Sequence, residues 1–253
     1  MSLYKAEGVV LRTRNLGEAD KIVTLFTAER GKVEAAAKGA RRPRSRLLGP
    51  TQLFTHGRYL LFERQSLDTL SQGEIVHSFL PLREDLLRMA YASYVAELVD
   101  RLTELNDPHP RLFSVLVAVL RQLAEGRQPA LTARYFELQL LQELGFRPHL
   151  SGCVRCGAQE AFWFGTELGG LICERCRTAD PSAARLDGET VEIMRFLLRS
   201  EPDRLEILRP SVKSMQAMGD VLPKFCLMRA GGWLHSLDFL RSLDAAESQG
   251  VAP

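Results

Sequence analysis

The sequence predicts an α+β chain of more than one domain: an N-terminal five-stranded β-barrel, then an α-helical bundle carrying a four-cysteine loop. Three observations predict it. Up to His77 the apolar residues recur mostly at period two, in short runs separated by turn residues. Beyond Pro81 the period becomes 3.6. Between the later helices, Cys153-Val154-Arg155-Cys156 is followed after sixteen residues by Cys173-Glu174-Arg175-Cys176. We divide the chain into residues 1–80 and residues 81–253, the second part with an insertion at 148–180. At 253 residues, 45% apolar and 25% charged, the composition is that of a globular protein large enough for two or three cores. No run of eighteen apolar residues predicts a membrane span.

The first strand is read at Gly8–Thr13 and the second at Asp20–Thr27, joined by the turn Asn15-Leu16-Gly17-Glu18. Gly31–Ala37 is a weaker third, because its alanines have low strand propensity. Gly57–Glu63 is the fourth, and Leu67–Val76, interrupted by Gly73, the fifth. Five short strands in about 80 residues fit a small barrel, and the OB-fold is the five-stranded barrel that binds nucleic acid. A partly open roll of the SH3 type is the structural rival.

Charge is unevenly placed. Residues 1–80 hold 13 Lys and Arg against 8 Asp and Glu, whereas the remaining 173 hold 20 against 23. The excess centres on Lys38-Gly39-Ala40-Arg41-Arg42-Pro43-Arg44-Ser45-Arg46, where five of nine residues are cationic and none is acidic. Gly39 and Pro43 predict a loop whose cations fan out along a phosphate backbone. The candidate nucleic-acid contacts are therefore Lys38, Arg41, Arg42, Arg44 and Arg46, extended by the strand residues Lys5, Arg12, Arg14 and Lys21. The bland alternative is a solvated loop. Tyr4, Phe26, Phe54, Tyr59 and Phe62 are placed to stack on bases, but their apolar runs favour the core.

The helical part opens with a stripe from Leu87 to Leu105, stopped by Asn106-Asp107-Pro108-His109-Pro110. A second helix covers Leu112 to Leu123 and ends near Gly126 and Pro129. A third runs from Leu131 to Leu144, closed by Gly145. The two Cys-x-x-Cys pairs then predict one zinc held by Cys153, Cys156, Cys173 and Cys176. The alternative, two disulfides, needs an oxidising compartment, and Met1–Lys5 leads into polar sequence without a secretory signal. Four protein ligands leave no open position, so the zinc is expected to be structural. His149 is a possible competing ligand, read as a loop histidine. After the loop, Asp187-Gly188-Glu189-Thr190 starts another helix. A last helical region spans Ser211 to about Leu243, broken or bent at Pro223 and at Gly231-Gly232, with Cys226 as a buried hydrophobe and a frayed tail from Ala245.

Gly8-Val9-Val10-Leu11, Leu16-Gly17-Glu18-Ala19-Asp20-Lys21-Ile22-Val23, Gly31 and Ala37-Lys38-Gly39-Ala40-Arg41-Arg42 resemble the opening of the RecO family of recombination mediators. Pro148, Leu150, the four cysteines, Gly157, Phe164, Gly169 and Gly170 match the spacing of its zinc-bearing members. The C-terminal stretch Trp233–Leu240 is similar too, with His235 where the family carries a lysine. The resemblance implies an OB-fold and binding to single- and double-stranded DNA. It also implies strand annealing and help in loading recombinase onto DNA covered by single-stranded-DNA-binding protein. The implied protein partners are RecR and the acidic, apolar-ended tail of single-stranded-DNA-binding protein. A receptor for that tail needs an apolar groove rimmed by cations, for which Arg121, Arg127 and Arg134 are the candidates. The expected location is cytoplasmic, at the nucleoid.

Catalysis finds no motif. There is no Gly-x4-Gly-Lys-Ser/Thr phosphate loop, no metallonuclease spacing, and the five histidines are scattered. The expectation is a non-enzymatic DNA mediator. A scaffold whose basic face meets an acidic protein is the alternative, and an enzyme with a site assembled from distant residues a third reading.

Overall fold

The computed structural model describes residues 2–248, which divide into two compact units. One holds the described residues up to Gly126 and those from Asp238 to Ser248, the other Arg127–Leu237. In the first unit β1 (Leu3–Leu16), β2 (Asp20–Thr27), β3 (Gly31–Ala37), β4 (His56–Phe62) and β5 (Asp68–His77) form a closed barrel in the order β1-β2-β3-β5-β4. All pairs are antiparallel except β3 with β5. This is the Greek-key barrel of the OB-fold. β1 outruns its sequence-read bounds because it serves two neighbours, Leu3–Val9 pairing with β4 and Gly8–Leu16 with β2. At the handover the strands pack closely on Gly8, where a Cβ would stand 3.2 Å from the Phe26 carbonyl oxygen. A bulge between Val10 and Arg12 then bends the strand around the barrel.

Inward-facing residues alternate along each strand. Ala6 and Val10 meet Val23 and Leu25, Val33 and Ala35, and Tyr59 and Leu61 in the interior. Gly57 and Gly73 make room for the Tyr59 ring, since a Cβ on either would come within 3.0 or 3.3 Å of it, and the Tyr59 hydroxyl donates to the Pro50 carbonyl at 2.9 Å. Phe26 and Phe54 are buried, as their apolar runs predict.

The outer wall of the barrel is covered by helices of the same unit: α1 (Pro81–Glu84), α2 (Leu86–Leu102) and α3 (Pro110–Ala124). Asp85 caps α2 by accepting the Arg88 N–H at 2.8 Å. Phe113 of α3 lies 6.4 Å from the outward ring of Phe26 and edge-on to His56 at 5.8 Å. The α2–α3 connection joins the edge of β3, where the Asn106 N–H donates to the Lys32 carbonyl at 2.9 Å. The change of period after residue 80 divides the sequence, but the compact division lies after Gly126, because these contacts bind two helices to the barrel.

In the second unit α4 (Pro129–Glu143) is surrounded. Every residue from Leu131 to Leu141 is buried, which erases the single apolar stripe expected of a surface helix. It packs against α5 (Gly188–Arg199) and α6 (Val212–Ala230). Between α4 and α5 a small sheet places β6 (Trp163–Gly165) between β7 (Gly170–Ile172) and β8 (Ala184–Arg185). Pro110 and Pro129 read in the sequence as helix stops but occupy the first turns of α3 and α4, where a missing N–H costs nothing. α6 continues through Pro223 and stops at Gly231, whose φ of +61° ends it. Cys226 is buried, as expected. α7 (His235–Ser248) follows, and the last part of the expected tail, 249–253, lies outside the described residues. No helix among the described residues is long and apolar enough to cross a membrane.

Within α4, Arg134 Nη2 lies 2.9 Å from Glu137 Oε1, with both side chains buried. Removing one partner strands a buried charge, so Glu137→Ala is expected to cost about 3–5 kcal/mol in urea unfolding. The double change Arg134→Met with Glu137→Leu should recover most of it. A single variant as stable as the parent would show that the pair is solvated.

Candidate nucleic-acid interface and four-cysteine cluster

The basic stretch is a folded turn rather than the loose loop its composition suggests. Ala40 and Leu47 are buried and anchor it to the barrel interior. Gly39 takes a φ of +66°, and its N–H donates to Asp20 Oδ1 at 2.7 Å. The Arg41 N–H donates to the Ala19 carbonyl at 2.9 Å, and Arg41 Nη1 to the Gly17 carbonyl at 3.1 Å. The turn is thereby stapled to the β1–β2 hairpin turn. Lys38, Arg41, Arg42, Arg44 and Arg46 are all exposed. Among the described residues, Lys38, Arg42, Arg44 and Arg46 have no carboxylate within ion-pair reach. Burial and the nearby Arg41 guanidinium lower the Lys21 pKa, which places that lysine against the same cluster.

The other expected contacts separate from this cluster. Arg14 stands near the hairpin turn, 3.9 Å from Glu34 at its closest. Arg12 is committed elsewhere: its guanidinium lies 3.3 Å from Glu34 and 3.3 Å from Asp100 of α2. Lys5 sits toward the other end of β1, up to about 30 Å from Arg14 along the strand, in a hollow shared with Glu7, Glu29 and Glu74. Of the three candidate partner residues, Arg121 is exposed in the last turn of α3 beside the buried Leu120 and Leu123. Arg127 pairs with Glu206, and Arg134 is buried against Glu137. A buried guanidinium cannot rim a surface groove.

In the second unit the four cysteines come together. Their sulfurs all lie within 4.8 Å of one another, close enough for the set to hold one metal ion. Cys153 and Cys156 sit on a knuckle closed by the Gly157 N–H on the Cys153 carbonyl at 2.9 Å, with Gly157 at a φ of +76°. Cys173 precedes the 3-10 segment Glu174–Ala179, in which the Cys176 N–H donates to the Cys173 carbonyl at 3.0 Å. Cys156 and Cys173 Sγ are 3.6 Å apart. That exceeds the disulfide bond of about 2.0 Å and approaches the edge of about 3.8 Å implied by four thiolates around zinc. His149 stays outside the set, exposed, with Nε2 3.2 Å from Ser151 Oγ.

The surroundings shift the thiols in opposite directions. Burial opposes ionisation of Cys153, but backbone hydrogen bonds from Cys173, Cys156 and Arg155 outweigh it and bring the thiol down to about 6. A backbone hydrogen bond from Cys176 leads in lowering Cys173. Cys176 is pushed up to about 12, by burial first and then by the crowding sulfurs. Four adjacent thiolates repel one another until a positive ion sits between them.

A residue with no motif holds the loop around the knuckles. The buried Asp180 carboxylate accepts the N–H groups of Glu167 at 2.9 Å, Leu168 at 3.2 Å and Ser182 at 3.0 Å, and the Ser182 hydroxyl at 2.6 Å. Gly165 lets it approach, since a Cβ there would lie 2.4 Å from its Oδ2. The only sequence signal is an aspartate before Pro181-Ser182, a common turn composition.

Known proteins resemble the chain over nearly its whole length. The family profile described as Recombination protein O N terminal matches residues 1–79, and that described as Recombination protein O C terminal matches 83–238. The DNA repair protein RecO of Symbiobacterium thermophilum is 44% identical over 252 residues, covering 97% of this chain and all of the relative. Those of Bacillus subtilis and Halalkalibacterium halodurans are 37% and 35% identical, each over 96% of both chains.

Asp180→Ala leaves three backbone donors without their acceptor, which costs about 1–3 kcal/mol for each buried group left unsatisfied. Limited proteolysis should then cut within residues 163–185 much faster than in the parent, with α4, α5 and α6 still resistant. Parental resistance in that stretch would mean the carboxylate is dispensable.

Proposed function

The chain belongs to the Recombination protein O family of DNA repair proteins, and from that premise we propose that it is a non-enzymatic mediator binding single- and double-stranded DNA through the basic turn at 38–46. It anneals complementary strands and helps load recombinase onto DNA covered by single-stranded-DNA-binding protein. RecR and single-stranded-DNA-binding protein are its protein partners, and it works in the cytoplasm at the nucleoid. The observation that carries this reading is the stapled turn, with four cations facing solvent without carboxylate partners. Such cations neutralise phosphates and release counterions without reading bases. Phosphates of two strands held on one cationic surface repel each other less, which favours pairing. Of the partner candidates, Arg121 is exposed and offers a cation to an acidic tail, whereas Arg127 pairs with Glu206 and Arg134 is buried.

The ion of the cysteine cluster is zinc, one per chain, supported by the all-thiolate donor set and sulfur spacing. With four protein ligands it fixes the loop and leaves no position for a reacting water. Cys153→Ser and Cys176→Ser are each expected to lower metal content in elemental analysis and the melting temperature together, with DNA affinity of the folded fraction retained. Parent protein purified without chelator but lacking zinc would overturn the assignment.

The DNA reading is tested by Arg42→Ala, Arg44→Ala and Arg46→Ala combined. Affinity should fall for every sequence alike. The salt dependence on single strands should flatten by about 2 log units per decade, at about 0.7 for each lost phosphate contact. An unchanged slope would place the nucleic-acid surface elsewhere and favour a scaffold whose basic face meets an acidic protein.

A further inference from the structure

We propose that the unit 127–237 carries a binding site of its own for single-stranded DNA, a phosphate pocket with a stacking platform beside it. A hollow of about 290 Å³ lies between residues 147–151 and α5. Its floor is apolar, made by the buried Pro148, Leu150 and Leu198. Its rim carries three guanidinium groups, Arg147, Arg195 and Arg199, with His149 beside them, and no Asp or Glu lines it.

The rim is partly preorganised. Arg195 donates from Nε to the Leu150 carbonyl at 2.9 Å and from Nη2 to the same oxygen, and its Nη1 pairs with Glu192. Its guanidinium is thus fixed across the hollow. Arg147 and Arg199 are exposed and, among the described residues, have no carboxylate within ion-pair reach. Two planar forks over an apolar floor match the oxygens of a phosphate whose sugar lies against the floor.

The neighbouring residue selects the kind of anion. Phe146 exposes 40% of its surface, and the Arg229 guanidinium sits over its ring at 5.0 Å. An exposed ring beside cations is the arrangement on which unpaired bases stack. An acidic peptide has no flat base to lay on it, and a duplex keeps its bases inside. A single strand engages the ring and the rim together.

The inference rests on the DNA reading above only for its choice of probe, and the test separates the two. The full chain is photo-cross-linked to an oligothymidylate carrying 5-iododeoxyuridine, and cross-linked peptides are mapped. Affinity for single strand and duplex is measured in parallel against salt. The parent should cross-link within residues 146–149. Arg147→Ala combined with Arg199→Ala should abolish that cross-link and flatten the single-strand salt dependence by about 1.4 log units per decade, at about 0.7 for each of two contacts. Duplex affinity should stay within about twofold. Phe146→Ala provides a second variant should the double one lose its zinc or helix content, with single-strand affinity expected to fall about tenfold. Cross-links confined to the barrel with an unchanged slope would overturn this site and leave the barrel reading standing. Cross-links at 146–149 that survive loss of the basic turn would support it even if the barrel reading failed. An aspartate-rich peptide bound by the parent but not by the double variant, without any cross-link at 146–149, would overturn it in favour of an acidic protein partner.

Discussion

Asp100 sets where α2 lies on the barrel wall of the first unit. From α2 its carboxylate takes Arg12 of β1 at 3.3 Å and Lys32 of β3 at 3.5 Å, two strands separated by β2. Arg12, Thr24 and Glu34 stand in one row across those strands, so the carboxylates of Glu34 and Asp100 share the same guanidinium. Alongside, Gly31 leaves no room for a side chain: a Cβ there would meet the Asp107 carbonyl at 1.9 Å. The outer barrel wall carries Val9, Leu11 and Phe26, which cannot face water, and helices must cover them. Apolar burial supplies the attraction, while charges and the glycine fix where along the wall the helices stop. The hairpin turn between β1 and β2 is left for the basic turn.

Much of this was legible in the sequence, for identifiable reasons. Five strands were visible because an antiparallel barrel with a filled interior writes a period of two into its strands. The cysteine cluster was visible because its ligands come in two local pairs. What escaped depends on long-range pairing. Arg12 looks like any solvent-facing strand cation until Asp100, far along the chain, arrives beside it. Arg134 looks like a surface arginine because a helix buried on every side carries no stripe to say so. The order of the basic turn rests on Asp20, nineteen residues before Gly39, and glycine with proline suggests disorder when that acceptor is unknown. The helices end ahead of Pro110 and Pro129 as read, but the role of each proline in starting the next helix went unseen, since the same residue serves both ends.

The second unit uses charge differently. In the cysteine cluster, four sulfurs sit close enough together to hold one metal ion, and local backbone N–H groups lower the pKa of two of them. Arg195 of α5 is pinned by the Leu150 carbonyl, three residues before Cys153, beside a cationic rim. The same peptide, 147–151, also bonds to β7: the Leu171 N–H donates to the His149 carbonyl at 2.8 Å, and the His149 N–H to the Gly169 carbonyl at 3.0 Å. The loop that gathers the sulfurs and the segment that bears Arg147 therefore share one backbone framework.

The stapling of the basic turn to the hairpin has a kinetic consequence. A disordered basic arm must freeze its backbone when it takes a strand, at about 1–2 kcal/mol for each residue ordered. The turn at 38–46 has met that cost on folding, through Asp20, Ala19 and Gly17. If this turn holds DNA as proposed, capture and release would involve ions and water but no refolding of the protein. On the proposed DNA reading, a second polyanion would replace phosphates one at a time on a surface that keeps its shape, and a held strand would pass over by stepwise substitution without first falling free.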